Sequence, residues 1–235
     1  ELTAAPHAAS YEETVETLRE LLLDTVHRQL AADVPLCTFL SGGLDSSVVT
    51  AIAAGILKER GQRLSTYSFE FEGNEAYFTP SSFQPDRDQD WAERVSRELG
   101  TDHHTLLCTN DQLADSLFEA VIAKDLPGMA DVDGSLLHFC RQVKQNHVVA
   151  LCGECADEIF GGYPWFHRRE MFDGSRFPWS GNLELRQSLL NPELREQLRL
   201  EDYVSQRLGE TLETVPALPG ENPEQVRMRQ LSCLN

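Results

Sequence analysis

The spacing of apolar and polar positions changes period several times along the chain, and each change marks an element. Between residues 10 and 32, Val15, Leu18, Leu22, Val26 and Leu30 recur every three or four residues, the repeat of one helix face. Glu12, Glu13, Glu16, Glu20 and Asp24 take the opposite face, which reads as solvated. Ser10 and Glu13 stand at capping-box spacing, and Pro35 ends the helical pattern. Leu36 to Leu40 is a short apolar run, read as a buried strand. Residues 46–60 read as a helix, Leu64 to Phe71 as a second strand, 88–99 as a helix closed by Gly100, and 103–108 as a third strand. A helix over 111–123, a loop over 126–133, a helix over 135–145 and a fourth strand from His147 to Cys152 complete the series. Strand and helix alternate, which predicts an α/β fold: a parallel sheet with helices on both faces.

Beyond Tyr163 the alternation stops. Residues 172–183 read as loop, 192–213 as polar helix, 214–223 as a Pro- and Gly-bearing linker, and 224–235 as the start of another helix. The expected organisation is a helical lead-in over 1–33, an α/β core over 34–170, and a helical and loop extension over 171–235 that the chain cuts off.

Composition narrows the functional classes. The 235 residues are 41% hydrophobic and 25% charged, a globular balance. Lys and Arg number 20 against 38 Asp and Glu, a formal charge of −18. Such a charge repels phosphate backbones, so no nucleic-acid partner is expected, and no polybasic membrane surface either. The longest apolar stretch, Val48 to Leu57, falls far short of the roughly 18–20 residues that cross a bilayer. No signal peptide is visible, and the opening at Glu1 reads as a fragment of a longer protein. Cys37, Cys108, Cys140, Cys152, Cys155 and Cys233 are irregularly spaced, as reduced cytosolic thiols would be; a cytoplasmic location is expected.

The chemistry concentrates after the first strand, in Leu40-Ser41-Gly42-Gly43-Leu44-Asp45-Ser46-Ser47. A loop between a buried strand and a helix N-terminus presents N–H groups and the positive end of a dipole to an anion. Gly42 and Gly43 allow close backbone approach, and the three serines add hydroxyl donors. Asp45 would repel a phosphate unless a Mg²⁺ ion bridged the two. The segment is neither a Walker A loop, nor a dinucleotide fingerprint, nor a serine-hydrolase elbow. Ser41 to Ser47 resembles the pyrophosphate loop of the adenine-nucleotide α-hydrolase-like superfamily, whose members cleave ATP between its α- and β-phosphates.

A second motif, Leu151-Cys152-Gly153-Glu154-Cys155-Ala156-Asp157-Glu158-Ile159-Phe160-Gly161-Gly162-Tyr163, follows the fourth strand. In an open parallel sheet both loops lie at strand carboxyl ends, where ligands bind. Three carboxylates within five residues call for nearby cations or solvent. Cys152 and Cys155, read alone, fit a redox pair or half a zinc site, though no second C-x-x-C or His pair supports zinc. His103 and His104 begin a strand and point to opposite faces, which makes them structural. The acids of 126–135, Asp131 and Asp133, fall in a loop that is the candidate lining of an acceptor pocket.

This second segment is similar to the Gly-Glu-Gly-(Ala/Ser)-Asp-Glu-(Ile/Val)-Phe-Gly-Gly-Tyr motif of the asparagine synthetase family and its close relatives. It departs where Cys152 replaces a Ser and Cys155 a Gly. The resemblance extends over about residues 6–170 and includes Tyr67-Ser68-Phe69. It implies ATP and Mg²⁺ as cofactors, with Leu40, Ser41, Gly42, Gly43, Asp45, Ser46, Ser47, Phe71, Cys152 and Gly153 holding the nucleotide and pyrophosphate. Asp45 and Asp157 would take the metal, and Glu154 would serve the incoming ammonia. The implied reaction adenylates the aspartate side chain and amidates it with ammonia drawn from glutamine by a glutaminase domain outside this chain. A homodimer is the assembly to test. A related amide-forming ligase of β-lactam or natural-product type, and a non-catalytic nucleotide-binding module, stay open as alternatives.

Overall fold

The computed structural model describes residues 5–80, 86–181 and 183–234. Within them the elements run α1 (Tyr11–Gln29), β1 (Leu36–Phe39), α2 (Leu44–Glu59), β2 (Ser65–Phe71), α3 (Asn74–Tyr77), α4 (Asp88–Leu99), β3 (Asp102–Cys108), α5 (Asn110–Lys124), α6 (Ala130–Val143) and β4 (Val149–Leu151). There follow α7 (Ala156–Phe160), α8 (Pro164–His167), a 3₁₀ turn (Arg169–Met171), α9 (Leu183–Ser188), α10 (Pro192–Leu198), α11 (Leu200–Glu213) and α12 (Pro223–Leu234). The chain forms two compact units, one of Ser10–Glu154 and another of Cys155 onward with the residues before Ser10.

In the first unit all strand pairs are parallel and the order is β3-β2-β1-β4. Successive strand residues face opposite sides. Leu36 and Val149 pack with Val26 and Leu30 of α1, Ala53 and Ala54 of α2, and Leu99 of α4. Cys37, Phe39, Tyr67, Phe69 and Leu106 pack with Val143 of α6 on the other side. Phe139 of α6 stacks on Phe69 at 4.3 Å. Both faces are therefore covered by helices, as the alternation of elements implies. The order steps outward from β1 to β3, then returns to β4 on the far side of β1. That reversal opens a crevice between the carboxyl ends of β1 and β4, the place where such sheets bind ligands.

The helix starts follow local chemistry. Ser10 and Glu13 form the expected capping box: Glu13 N–H donates to Ser10 Oγ at 3.2 Å, and Ser10 N–H donates to Glu13 Oε2 at 2.8 Å. Thr109 and Gln112 form a second capping box at α5.

Three expectations change in detail. The helix read over 135–145 begins already at Ala130, so the loop read over 126–133 ends earlier. Asp133 reaches back to accept the Met129 N–H at 2.6 Å, which secures that first turn. The helix read over 192–213 breaks at Arg199, whose φ of +44° divides α10 from α11. The fourth strand is shorter, Val149–Leu151. Asn182 of the loop read over 172–183, Asn235 of the tail and residues 1–4 of the lead-in lie outside the described residues.

The second unit has its own small core of Phe166, Phe172 and Leu231, with Tyr163, Trp165 and Leu234 around it. Arg227 of α12 donates to the carbonyls of Trp165 and Phe166, both at 3.0 Å, and pairs with Glu224 at 2.6 Å.

Candidate active site

The crevice is built first from the end of β1. Leu40 is wholly buried, and its N–H donates to the Tyr67 carbonyl at 2.8 Å. Its side chain is core; only its backbone is placed to meet a ligand. The chain then turns at Gly42, with φ of +88°. A Cβ there would stand 2.6 Å from the Ala92 nitrogen and 2.8 Å from the Asp88 carbonyl oxygen. The loop thus lies directly against the beginning of α4, and both the φ and the contact demand glycine.

Gly43 caps α2 with no side-chain hydrogen bond. The loop instead bridges itself. Gly43 N–H donates to Ser41 Oγ at 3.3 Å, Ser41 N–H donates to Ser46 Oγ at 3.2 Å, and the Ser46 hydroxyl lies 3.2 Å from the Gly43 carbonyl. Ser47 Oγ is buried and, among the described residues, has no hydrogen-bond partner. A hydroxyl-lined turn at the positive end of a sixteen-residue helix is suited to hold an anion.

The loop after β4 closes the other wall. A Cβ on Gly153 would come 2.7 Å from Ser46 N and 2.8 Å from the Asp45 backbone carbon. Residues 41–47 and 152–154, more than a hundred positions apart in sequence, therefore touch, and only glycine permits it. Cys152 and Glu154 are exposed beside this contact. Phe71 ends β2, 40% exposed, with its ring edge-on to Phe139 at 5.8 Å. The structure thus gathers Leu40, Ser41 to Ser47, Cys152, Gly153 and Glu154 at the crevice.

Asp157 belongs to the second unit. Gly162 N–H donates to the Asp157 carbonyl at 3.1 Å, and a Cβ on Gly162 would fall 1.8 Å from Asp157 Oδ1, so the carboxylate lies over that glycine. The Tyr163 hydroxyl donates to Glu158 at 2.8 Å. Cys155, where the resembling motif carries Gly, has φ of +69° and keeps the glycine-like conformation despite its side chain.

Other sequence readings find their places here. His103 meets Thr66 and Ser68 on one face of the sheet, while His104 stacks on Tyr67 on the other. Asp133 accepts from Lys124 Nζ at 2.9 Å as well as from Met129 N–H; these two bonds hold its carboxyl below the ordinary 3.8. Those bonds tie its carboxylate to Lys124 of α5 and to the start of α6. All six cysteines are free thiols. Burial pushes Cys37 up to about 12 and raises Cys108 and Cys140 as well.

Among the described residues no cluster of three or more His, Cys, Asp or Glu side chains forms a metal cage. One carboxylate beside a loop suited to an anion is a donor set Mg²⁺ accepts, since that ion takes one or two carboxylates together with phosphate oxygens. Asp45 in the first turn of α2, beside the loop held by Gly42 and Gly153, fits that habit.

Fold and loop define the class: a parallel α/β unit with a glycine- and serine-rich turn at its topological switch point. The family model described as asparagine synthase matches residues 17–235, and the chain belongs to that family. It is 50% identical over 230 residues to "Asparagine synthetase [glutamine-hydrolyzing] 3" of Bacillus subtilis, covering 97% of this chain and 37% of that protein. It is 32% identical over 218 residues to "Amidase chyE" of Penicillium rubens, covering 89% of this chain and 31% of that one. Among solved structures, NAD+ synthetase from Burkholderia pseudomallei aligns with a TM-score of 0.37 at 15% identity, over 95% of this chain and 84% of that one, a likeness too weak to argue from. The chain spans about a third of the length of the two curated relatives, 37% and 31%.

Proposed function

We propose that the whole protein makes asparagine from aspartate, ATP and ammonia, releasing AMP and pyrophosphate. The observation that carries this reading is the contact of Gly153 with Ser46 and Asp45, which sets the glycine-serine turn and Glu154 around one crevice. The aspartate side-chain carboxylate attacks the α-phosphorus of ATP, and pyrophosphate leaves. Ammonia then attacks the acyl carbon, one proton is lost, and AMP leaves in place of the poorer leaving group oxide. The turn at 41–47 stabilises the charge building on pyrophosphate with N–H and O–H donors. Leu40, Phe71, Cys152 and Gly153 frame the nucleotide, and Glu154 orients or deprotonates the ammonia. Asp45 and Asp157 are the residues assigned to Mg²⁺, which neutralises pyrophosphate charge when bound; the pairing rests on the family motif. Residues 34–170 are the nucleotide-binding core in this reading, with 1–33 leading in and 171–235 extending it. Ammonia comes from glutamine, as the name of the Bacillus relative implies, and the enzyme is a cytoplasmic homodimer. No helix among the described residues is long and apolar enough to cross a membrane.

The test is aspartate-dependent ATP–pyrophosphate exchange set against asparagine formation by the full-length protein. Glu154→Gln keeps the shape and removes the base, so amide formation falls about 10²–10⁴-fold while exchange suffers less. Asp157→Asn depresses exchange as well. Equal loss of both activities in Glu154→Gln, with exchange spared in Asp157→Asn, reverses the two roles. The likeness to the Penicillium amidase favours one second reading, an amide-forming ligase with a different acceptor. Exchange driven by another carboxylic acid and not by aspartate selects it.

A further inference from the structure

The turn that would hold pyrophosphate contains no lysine or arginine between Ser41 and Ser47. Residues 40–43, 72–80, 86–87, 109 and 152–155 lead away from the four strand carboxyl ends, and Arg87 is the single Lys or Arg among them. Arg87 stands immediately before α4, and the next residue's carbonyl, that of Asp88, is one of the three groups, with Ala92 N and Trp91 Cβ, that Gly42 packs against. The backbone of Arg87 is therefore one residue from a group in contact with the turn.

Among the described residues its bonding is incomplete. Arg87 Nη2 is 3.5 Å from Glu70 Oε2, too long for a strong charge-assisted hydrogen bond. The other oxygen of Glu70 is taken at shorter range: Asn74 Nδ2 donates to Oε1 at 2.7 Å and Phe71 N–H at 3.1 Å. Arg87 Nε is buried and, among the described residues, has no acceptor. A buried N–H of a charged group left without an acceptor is costly, and an incoming anion relieves that cost.

Position also selects the direction. Glu70 follows Ser68 by two residues on β2, so both face α4, and Ser68 indeed bonds Gln89 of that helix. This is the face that α2 covers, so Arg87 stands on the same side of the sheet as the helix whose N-terminus forms the turn. Arg87 itself lines a cavity of about 420 Å³ together with Asp86, Asp90 and Trp91, the last of which also packs against Gly42.

We propose that Arg87 is a nucleotide-phosphate-binding residue of this site, parked on Glu70 when no phosphate is bound and transferred to a polyphosphate oxygen when one is. The inference rests on the nucleotide reading of the turn and adds to it a cation that the turn itself lacks.

The experiment is calorimetric titration of the full-length protein with Mg-ATP and, separately, adenosine, for the wild type, Arg87→Gln, Arg87→Lys and Glu70→Gln. Arg87→Gln weakens Mg-ATP about ten- to hundredfold and leaves adenosine unchanged, the loss expected for one charged hydrogen-bonding group. Arg87→Lys recovers part of the affinity. Glu70→Gln frees the guanidinium, so Mg-ATP binds as tightly as to the wild type or more so. Thermal melts of each variant confirm that it is folded. If Glu70→Gln loses the same affinity as Arg87→Gln, the pair is only a strap between β2 and α4 and the proposal is wrong. Mg-ATP binding undiminished in Arg87→Gln, or adenosine weakened equally, also overturns it. A wild type that binds no Mg-ATP defeats the nucleotide reading itself, an outcome distinct from bound Mg-ATP indifferent to Arg87.

Discussion

Cys155 holds a left-handed backbone, φ +69° and ψ 6°, at the residue capping α7. For a side-chain-bearing residue that conformation costs roughly 1–2 kcal/mol, while glycine gives back roughly 0.5–1 kcal/mol through the greater freedom of its unfolded chain. Cys155→Gly therefore raises stability by up to about 1.5 kcal/mol, read as a higher urea midpoint at an unchanged slope. Cys155→Ala keeps the strain and shows no such gain. An equal gain in Ala would trace the effect to the thiol, and a lower midpoint in Gly would remove the backbone account. At this scale the sequence was partly legible. The glycines of 41–47 and Gly153 stand where their motifs put them. Whether Cys155 avoids or tolerates a positive φ could not be read from the motif, because the answer depends on how α7 begins.

At the scale of elements, α4 both buttresses Gly42 and rests on a layer of polar groups. Thr66 Oγ1 lies 2.8 Å from His103 Nδ1, and Ser68 Oγ lies 3.1 Å from His103 Nε2. Ser68 Oγ in turn donates to Gln89 Oε1 of α4 at 3.0 Å. Burial holds His103 below its ordinary 6.5 against the pull of Glu93, with His104 pushing it further down. His147, bonded to the Tyr67 hydroxyl, is lowered mainly by burial too. A histidine that binds its proton less readily folded than unfolded leaves the unfolded chain as the better proton acceptor. Stability from both residues is therefore whole above about pH 6.5 and is lost as pH falls through the lowered folded values. The paired carboxylates Asp133 and Glu221 add their own losses only at more acid pH, because they too are held low, each first by its basic partner. Denaturant midpoints at pH 7.5 and 5.5 should differ in the wild type and differ less in His103→Gln. An unaltered difference would assign the effect elsewhere. Elements with end signals, such as the Ser10–Glu13 box and the Gly100 stop, were readable from spacing because the caps are local. The early start of α6 was not, since Pro127 and Gly128 suggest a longer loop and the bond that secures the turn comes from Asp133. The break at Arg199 has neither Gly nor Pro to announce it. The Arg87–Glu70 pair joins residues seventeen apart and belongs to tertiary structure alone.

Over the whole molecule the excess of 38 acids over 20 bases sets a background that opposes any polyphosphate, and Asp45 adds the same sign at close range. These two contributions separate by distance. The net charge of −18 acts over many ångströms and is screened once the Debye length falls to about 10 Å near 0.1 M salt. Asp45, in the first turn of α2, acts within a few ångströms of the turn and is screened much less. With EDTA present, Asp45→Asn removes a repelling charge and should bind free ATP severalfold more tightly than the wild type, and added NaCl should strengthen both proteins together. With Mg²⁺ present the carboxylate becomes an attractor through the shared ion, and the same substitution should weaken ATP binding severalfold, with little dependence on salt. The order of the two proteins thus inverts between the chelated and the metal-loaded titrations. A substitution that shifts affinity in the same direction in both conditions would show that Asp45 acts on the helix start alone, where a first-turn carboxylate contributes about 0.3–1 kcal/mol regardless of any metal.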